Sequence, residues 1–140
     1  METRQPPVVL IVDDEPNILR SLRRLFKREP FRTVATTDPY EALSCLRHEP
    51  VAVLLTDQRM PTLDGDHLIA RVKALDERVV CVRLTGYPSP SAPTPTLAPG
   101  AVFKTIAKPW DDGEITAAVR EALDHHERAA AAVNQMPIQP

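Results

Sequence analysis

The chain has 140 residues, which suits one domain of ordinary size and is too short for two domains with separate cores. Hydrophobic residues make up 43% and charged residues 26%, a globular composition that argues against disorder over most of the chain. The formal net charge of −2 provides no general basic field, which argues against direct nucleic-acid binding.

Targeting signals are missing from the sequence. No apolar run approaches the ~20 residues of a membrane span, and residues 1–7 contain no signal-peptide core. Cys45 and Cys81 lie in apolar stretches without Cys-x-x-Cys spacing, which is typical of buried free thiols in a reducing compartment. We therefore expect a cytoplasmic protein that does not contact a membrane.

Short apolar runs alternate with amphipathic stretches along most of the chain. Residues 8–12 form a β-branched and aliphatic run that predicts a strand buried on both faces. Further strands are predicted at 31–35, 51–56, 79–84 and 101–106. Helices are predicted after the first three strands, beginning near Pro16, Asp38 and Asp64, and a last helix follows Asp111 and is expected to extend through 129–133. This alternation predicts a doubly wound α/β domain with a parallel five-stranded sheet.

The alternation is interrupted between the fourth and fifth strands. Five of the 15 prolines lie between Pro88 and Pro99, where a helix would be expected. Each proline inside a helix costs about 3 kcal/mol, so we predict that this helix is absent and that a Pro-rich loop over 88–99 replaces it. The alternative, a Pro-rich ligand for an SH3-type domain, is disfavoured because the segment is too short to leave the domain.

Polar residues with chemical potential follow the predicted strands. Asp13 and Asp14 follow the first strand, Asp57 the third, Thr85 the fourth and Lys108 the fifth. Sites in doubly wound sheets form at the carboxyl ends of the strands, so these residues are predicted to meet at one edge. Alone, the two adjacent aspartates would be read as a cap for the first helix.

Three clustered carboxylates require a compensating cation. Two carboxylates about 4 Å apart repel by about 4 kcal/mol at an effective dielectric constant near 20. A site made only of oxygen ligands suits Mg²⁺, and Lys108 would add a second positive charge. Such a site is suited to holding a phosphoryl group against a carboxylate nucleophile.

Four motifs follow the strands: Val12-Asp13-Asp14-Glu15, Thr56-Asp57-Gln58-Arg59-Met60-Pro61, Leu84-Thr85-Gly86-Tyr87 and Lys108-Pro109-Trp110. Over roughly residues 8–122 the chain resembles the receiver domains of bacterial two-component response regulators, which implies a flavodoxin-like fold. The residues of these motifs resemble those in receivers of enhancer-binding transcription activators of the nitrogen-regulatory class, including hydrogenase-gene regulators. They also resemble those in receivers that precede cyclic-dinucleotide phosphodiesterase domains. The resemblance therefore implies a receiver at 1–124 and, at 125–140, a helix extension and linker toward an output domain.

The resemblance implies a role for each matched residue. Asp57 is the expected phosphoryl acceptor. Asp14 and Asp57 are expected to bind Mg²⁺ directly, Asp13 through water, and Arg59 through its main-chain carbonyl. The implied partners are a histidine kinase and a C-terminal output domain, with DNA contacted only through that output, and a homodimer is compatible with the sequence.

The remaining site residues are assigned in the same way. Thr85 is expected to direct its hydroxyl to the phosphoryl group, and Lys108 to pair with a phosphoryl oxygen next to a cis peptide at Lys108–Pro109. Thr105 occupies the position where receivers commonly carry an aromatic switch residue, and Phe103 is expected on the same face by strand alternation. Without the helix between the fourth and fifth strands, the signal is expected to leave along the last helix toward 129–135.

The expected function is that of a signalling domain, which catalyses only its own phosphorylation and dephosphorylation and regulates transcription activation. Three alternatives remain: a receiver controlling a cyclic-dinucleotide phosphodiesterase, a degenerate receiver serving as a dimerisation module, and a phosphohydrolase of the haloacid-dehalogenase type. The last would carry its nucleophile on the first strand with a second acid two residues on, whereas Asp13 and Asp14 are adjacent.

Overall fold

The computed structural model describes residues 5–86 and 97–134, which form a five-stranded sheet with helices on both faces. The elements in chain order are β1 (Val8–Val12), α1 (Pro16–Leu25), β2 (Arg32–Thr36), α2 (Pro39–Cys45), β3 (Val51–Asp57), α3 (Gly65–Leu75), β4 (Val80–Thr85), β5 (Lys104–Ala107) and α4 (Asp112–Asn134). All strand pairs are parallel, in the order β2-β1-β3-β4-β5. This is the predicted doubly wound, flavodoxin-like α/β fold.

The core has two layers, one on each face of the sheet. Every residue of β1 and β3 is buried, which explains why both strands read as continuous apolar runs. The first layer packs residues of α1 and α4 against the sheet, including Leu22 and Ile115, together with Phe26 directly after α1. The second layer packs residues of α2 and α3 on the opposite face, including Leu68 and Ile69.

Capping residues define several helix starts. Proline occupies the first turn of α1 and α2, and the side chain of Asp38 accepts a hydrogen bond from the Tyr40 N–H at the start of α2. The side chain of Asp64 accepts from the His67 N–H at the start of α3. The side chain of Asp111 accepts from the Gly113 N–H at the start of α4. These caps lie where the sequence predicts helices to begin.

The predicted strand bounds agree with the structure to within one residue, except for the fifth strand. β5 begins at Lys104 and not at residue 101, because residues 97–103 form turns and irregular backbone before the chain pairs with β4. The predicted extension of the last helix through 129–133 is confirmed, since α4 continues to Asn134.

The predicted Pro-rich loop over 88–99 lies outside the described residues except for its last three positions. Those positions, 97–99, are neither helix nor strand. The described residues contain four helices, and none of them lies between β4 and β5. In those same ranges, 5–86 and 97–134, no helix is both long and apolar enough to cross a membrane.

Candidate functional site

Two of the acidic residues follow the buried strand β1. The Asp13 N–H donates to the Thr36 carbonyl 3.4 Å away, which continues the ladder between β1 and β2 by one residue. The Asp13 side chain is fully buried, and its Oδ1 accepts a 2.9 Å hydrogen bond from the Glu15 N–H. Asp14 is exposed beside it. The adjacent pair therefore offers one fixed, buried carboxylate and one that faces solvent.

Asp57 is the last residue of β3, the strand at the centre of the sheet, and only 7% of it is exposed. The backbone after it is held on both sides: the Gln58 N–H donates to the Leu84 carbonyl at 2.9 Å, and the Gly65 N–H donates to the Gln58 carbonyl at 2.8 Å. A Cβ at Gly65 would lie 2.0 Å from the Asp57 carbonyl oxygen. Only glycine allows α3 to begin this close to the acidic site.

Lys108 crosses from β5 to the two buried acids. Its Nζ lies 2.8 Å from Asp13 Oδ2 and 3.2 Å from Asp57 Oδ1. Its own N–H donates to the Thr85 carbonyl at 2.8 Å, which ties the end of β5 to the end of β4. The predicted cis peptide at Lys108–Pro109 is present.

The three aspartates form one cluster. Asp13, Asp14 and Asp57 each present a carboxylate oxygen within 4.8 Å of the others. Burial, followed by the charge of Asp13, raises the pKa of Asp57 above its ordinary value, although Lys108 opposes this shift. Burial lowers the pKa of Lys108, but its hydrogen bond to Asp13 and the charges of both acids outweigh that effect and raise it. Three carboxylates facing one ammonium retain an excess of negative charge, as a hard cation requires.

The structure thus brings together four of the six predicted site residues: the three clustered aspartates and Lys108, which pairs with two of them. The other two lie at the same edge of the sheet: Thr85 ends β4 and is 4% exposed, and Arg59 lies two residues after Asp57 and is exposed. The site residues contributed by β1, β3, β4 and β5 all follow from the parallel strand order, in which the carboxyl ends share one edge.

The aromatic switch position differs from the expectation of strand alternation. Thr105 is exposed on β5. Phe103 precedes the first residue of β5, so strand alternation does not extend to it, and its ring packs 5.1 Å from the His125 ring of α4. Phe103 therefore helps to dock α4 on the sheet. The prediction that Phe103 lies on the same face of the strand as Thr105 is wrong.

Sequence reasoning missed an ion pair beside the site. Arg83 of β4 donates from Nη1 to Asp66 Oδ1 of α3 at 2.8 Å, and the Asp66 side chain is only 2% exposed. The available signal was a single arginine within an otherwise apolar strand, Val80–Thr85. Its partner is 17 residues away in the chain, and no local pattern connects the two.

The chain matches the sequence model described as "Response regulator receiver domain" over residues 9–120. It is 32% identical over 116 residues to the Hydrogenase transcriptional regulatory protein HoxA of Cupriavidus necator, a match that covers 83% of this chain and 24% of HoxA. It is 30% identical over 115 residues to the Sporulation initiation phosphotransferase F of Bacillus subtilis, a match that covers 82% of this chain and 92% of that protein. The chain thus spans about a quarter of the length of HoxA and nearly the full length of the Bacillus protein.

A solved structure shows the same fold. The signal receiver domain of an HD domain-containing protein from Pseudomonas fluorescens Pf-5 superposes with a TM-score of 0.80 at 29% identity. That match covers 89% of this chain and 99% of the other. The conserved architecture extends over nearly the whole of the compared domain.

Proposed function

Since the chain belongs to the response regulator receiver family, we propose that it is a phosphoacceptor domain that receives a phosphoryl group on Asp57. The observation that carries this proposal is the meeting of Lys108 Nζ with Asp13 Oδ2 at 2.8 Å and with Asp57 Oδ1 at 3.2 Å, although Lys108 lies 95 residues from Asp13 in the chain. An ammonium between two buried acids at the end of the central strand is suited to phosphoryl transfer.

The proposed donor is a phosphohistidine of a partner histidine kinase. An Oδ of Asp57 attacks the phosphorus, the P–N bond breaks, and the imidazole leaves and takes up a proton. Hydrolysis reverses the modification: water attacks the phosphorus, the P–O bond to Asp57 breaks, and inorganic phosphate leaves. The domain is therefore a signalling domain that catalyses only its own phosphorylation and dephosphorylation.

The acidic cluster is suited to Mg²⁺. Asp14 and Asp57 would bind the ion directly, Asp13 through water and Arg59 through its main-chain carbonyl, a set of oxygen ligands of the kind that Mg²⁺ prefers. When bound, Mg²⁺ supplies positive charge that offsets the negative charge of the phosphoryl oxygens. Burial, followed by the charge of Asp13, raises the pKa of Asp57, and a cation bound at this cluster would oppose that shift.

Lys108 and Thr85 complete the proposed site. Lys108 is held by the fully buried Asp13, so its ammonium remains at the site while Asp57 is modified, and it would pair with a phosphoryl oxygen. Thr85 would direct its hydroxyl to the same group from the end of β4. For the domain to act as a switch, these contacts must favour the phosphorylated conformation over the unphosphorylated one.

We propose that residues 1–124 are the receiver and that 125–140 are a helix extension and linker toward an output domain. Transcription regulation is the proposed output, because HoxA, GlrR of Escherichia coli and AtoC of Escherichia coli, all of them similar to this chain, are named regulatory proteins. A cytoplasmic location fits this function. To move the domain from mostly one state to mostly the other, the phosphoryl group must favour one state by roughly 5 kcal/mol.

The test is Mg²⁺-dependent labelling with acetyl phosphate. We expect the unmodified protein to take up one phosphoryl group, Asp57→Asn to take up none, and Lys108→Arg to be labelled but not to pass on the signal. The matched control is Asp124→Asn, an exposed aspartate on α4, which should label normally. Labelling that survives in Asp57→Asn, or rapid turnover of a small phosphoester, would contradict the proposal and favour a phosphohydrolase.

A further inference from the structure

The ion pair between Arg83 and Asp66 is a feature that the proposed site does not use. The pair joins β4 to the first turn of α3 at 2.8 Å. Among the described residues, Asp66 Oδ2 and Arg83 Nε are buried and have no hydrogen-bond partner. Buried ion pairs with unsatisfied atoms contribute little to stability, and an apolar pair of similar volume often does better. Stability alone therefore does not explain why two charges are buried here.

The pair closes a ring of contacts around the turn that follows β3. Asp66 is next to Gly65 in α3, and the Gly65 N–H donates to the Gln58 carbonyl at 2.8 Å. The Gln58 N–H in turn donates to the Leu84 carbonyl at 2.9 Å, and Leu84 follows Arg83 on β4. The path thus runs from β4 through the turn to α3, and the ion pair returns it to β4.

This ring holds the main chain directly after the proposed acceptor, at Gln58. Asp57 precedes Gln58, and Arg59, whose carbonyl is a proposed Mg²⁺ ligand, follows it. On the other side of the ring, β4 ends at Thr85, two residues after Arg83. Any shift of α3 relative to β4 would therefore change the distance between the acceptor turn and the strand that carries the hydroxyl.

We infer that Asp66 and Arg83 are positioning residues for the phosphoryl-acceptor site, and this inference rests on the proposed function. The guanidinium–carboxylate hydrogen bond is directional and fixes a distance, whereas an apolar contact would fill the same space without fixing one. The pair sets the separation between the turn that carries Asp57 and the end of β4, and so it sets the geometry of Mg²⁺ and phosphoryl binding.

The experiment separates positioning from stability by comparing a single and a double variant. Arg83→Met leaves the Asp66 carboxylate buried without its cation, and we expect its unfolding temperature to fall on the order of 10 °C. The double variant Asp66→Leu/Arg83→Met replaces the pair with apolar side chains and should recover the original unfolding temperature. Arg83→Lys keeps a cation beside Asp66 but loses the planar guanidinium.

Two readouts report on geometry. The first is Mg²⁺ affinity, followed by the fluorescence of the single tryptophan, Trp110, which lies two residues after Lys108. The second is the rate of labelling by acetyl phosphate at saturating Mg²⁺. We expect the double variant to bind Mg²⁺ about tenfold more weakly than the unmodified protein. We also expect its labelling rate to be about tenfold lower, although its unfolding temperature is recovered. Arg83→Lys should fall between it and the unmodified protein, and it provides the same test if the double variant does not fold.

The control is Glu29→Leu/Arg120→Met, which removes an ion pair of 2.7 Å between the segment after α1 and α4, away from the acceptor turn. It should leave both readouts unchanged. A double variant at Asp66 and Arg83 with the original Mg²⁺ affinity and labelling rate would show that the pair is only structural and would leave the proposed function standing. If the unmodified protein fails to label while the double variant still loses Mg²⁺ affinity, the proposed function fails and the positioning role stands.

Discussion

At the scale of single residues, the negative charge of Asp57 is unfavourable in the metal-free protein. Asp57 is buried at the end of β3 and faces Asp13, and these two effects raise its pKa in the folded state above its ordinary value of 3.8. An acid whose pKa is higher in the folded than in the unfolded state binds its proton more tightly when folded. Its ionisation therefore destabilises the fold as the pH rises from the unfolded value through the folded one.

Asp57→Asn should therefore stabilise the metal-free protein near neutral pH. Lys108 keeps its 2.8 Å contact with Asp13, so the substitution leaves the ammonium paired. The measurement is thermal unfolding in the presence of a chelator, with Asp124→Asn as an exposed control. The advantage of Asp57→Asn should disappear at pH values below the ordinary carboxyl pKa, where both states of Asp57 are protonated. A lower unfolding temperature for Asp57→Asn at neutral pH would contradict this charge balance.

The two thiols differ in burial and should differ in reactivity. Burial raises the pKa of Cys81 to about 12, whereas Cys45 is partly exposed, with burial and then Glu49 raising its pKa more modestly. Because the thiolate is the reactive form, we expect an alkylating reagent to modify Cys45 first and Cys81 only after unfolding. Mass spectrometry of the native protein measures this order, with Cys81→Ala as the control. Equal rates at the two thiols would contradict the burial of β4.

At the scale of elements, the start of α3 lies against the backbone of the acidic site at Asp57. Gly65→Ala would place a Cβ 2.0 Å from the Asp57 carbonyl oxygen, and the overpacking should cost about 1–3 kcal/mol. Gly113→Ala is the matched control near the start of α4, because a Cβ there meets nothing closer than 3.8 Å and should stabilise the helix by about 0.5–1 kcal/mol. Urea denaturation measures both. Similar free energies for the two variants would show that α3 can move away from the acceptor turn at little cost.

The elements also show how far the sequence predicts the fold. The buried strands β1 and β3 are predictable because a continuous apolar run that stops at an acid marks both the strand and its end. The start of β5 cannot be predicted in this way, because residues 101–103 are apolar although their backbone is irregular. Only pairing with β4 determines where this strand begins. Pairing between elements is a tertiary property that local apolarity does not encode.

The same distinction applies to the site. Asp13, Asp57 and Lys108 are predictable together because the parallel order sends every strand end to one edge. The partnership of Arg83 with Asp66 is not predictable, because it depends on how α3 lies across β4. Contacts that fix the distance between two elements can therefore be identified only from the three-dimensional structure.

At the scale of the whole molecule, α4 connects the sheet to the residues that follow the receiver. Two adjacent histidines dock its far end: the His125 ring packs against Phe103, and His126 Nδ1 donates to the Arg78 carbonyl at 2.9 Å. The helix continues past them to Asn134. A change in how α4 packs on the sheet would therefore move the segment that leads toward the proposed output domain.

His126→Ala should loosen the end of α4 without disturbing the site. Loss of the hydrogen bond to the Arg78 carbonyl removes about 1 kcal/mol of local stability. Amide hydrogen exchange at residues 126–134 should accelerate accordingly, while exchange at Asp57 stays unchanged. His48→Ala, at an exposed histidine, is the control. Unchanged exchange along the end of α4 would show that His126 does not hold it.

The most direct test of the phosphoacceptor site is to locate the acyl phosphate chemically. Borohydride reduces an aspartyl phosphate to homoserine, so treatment after incubation with acetyl phosphate and Mg²⁺ marks the modified residue in a peptide map. We predict homoserine at position 57 alone, with none when Mg²⁺ is withheld. Homoserine at Asp13 or Asp14, or an unmodified Asp57 in protein that carries phosphate, would contradict the assignment of Asp57 as the acceptor.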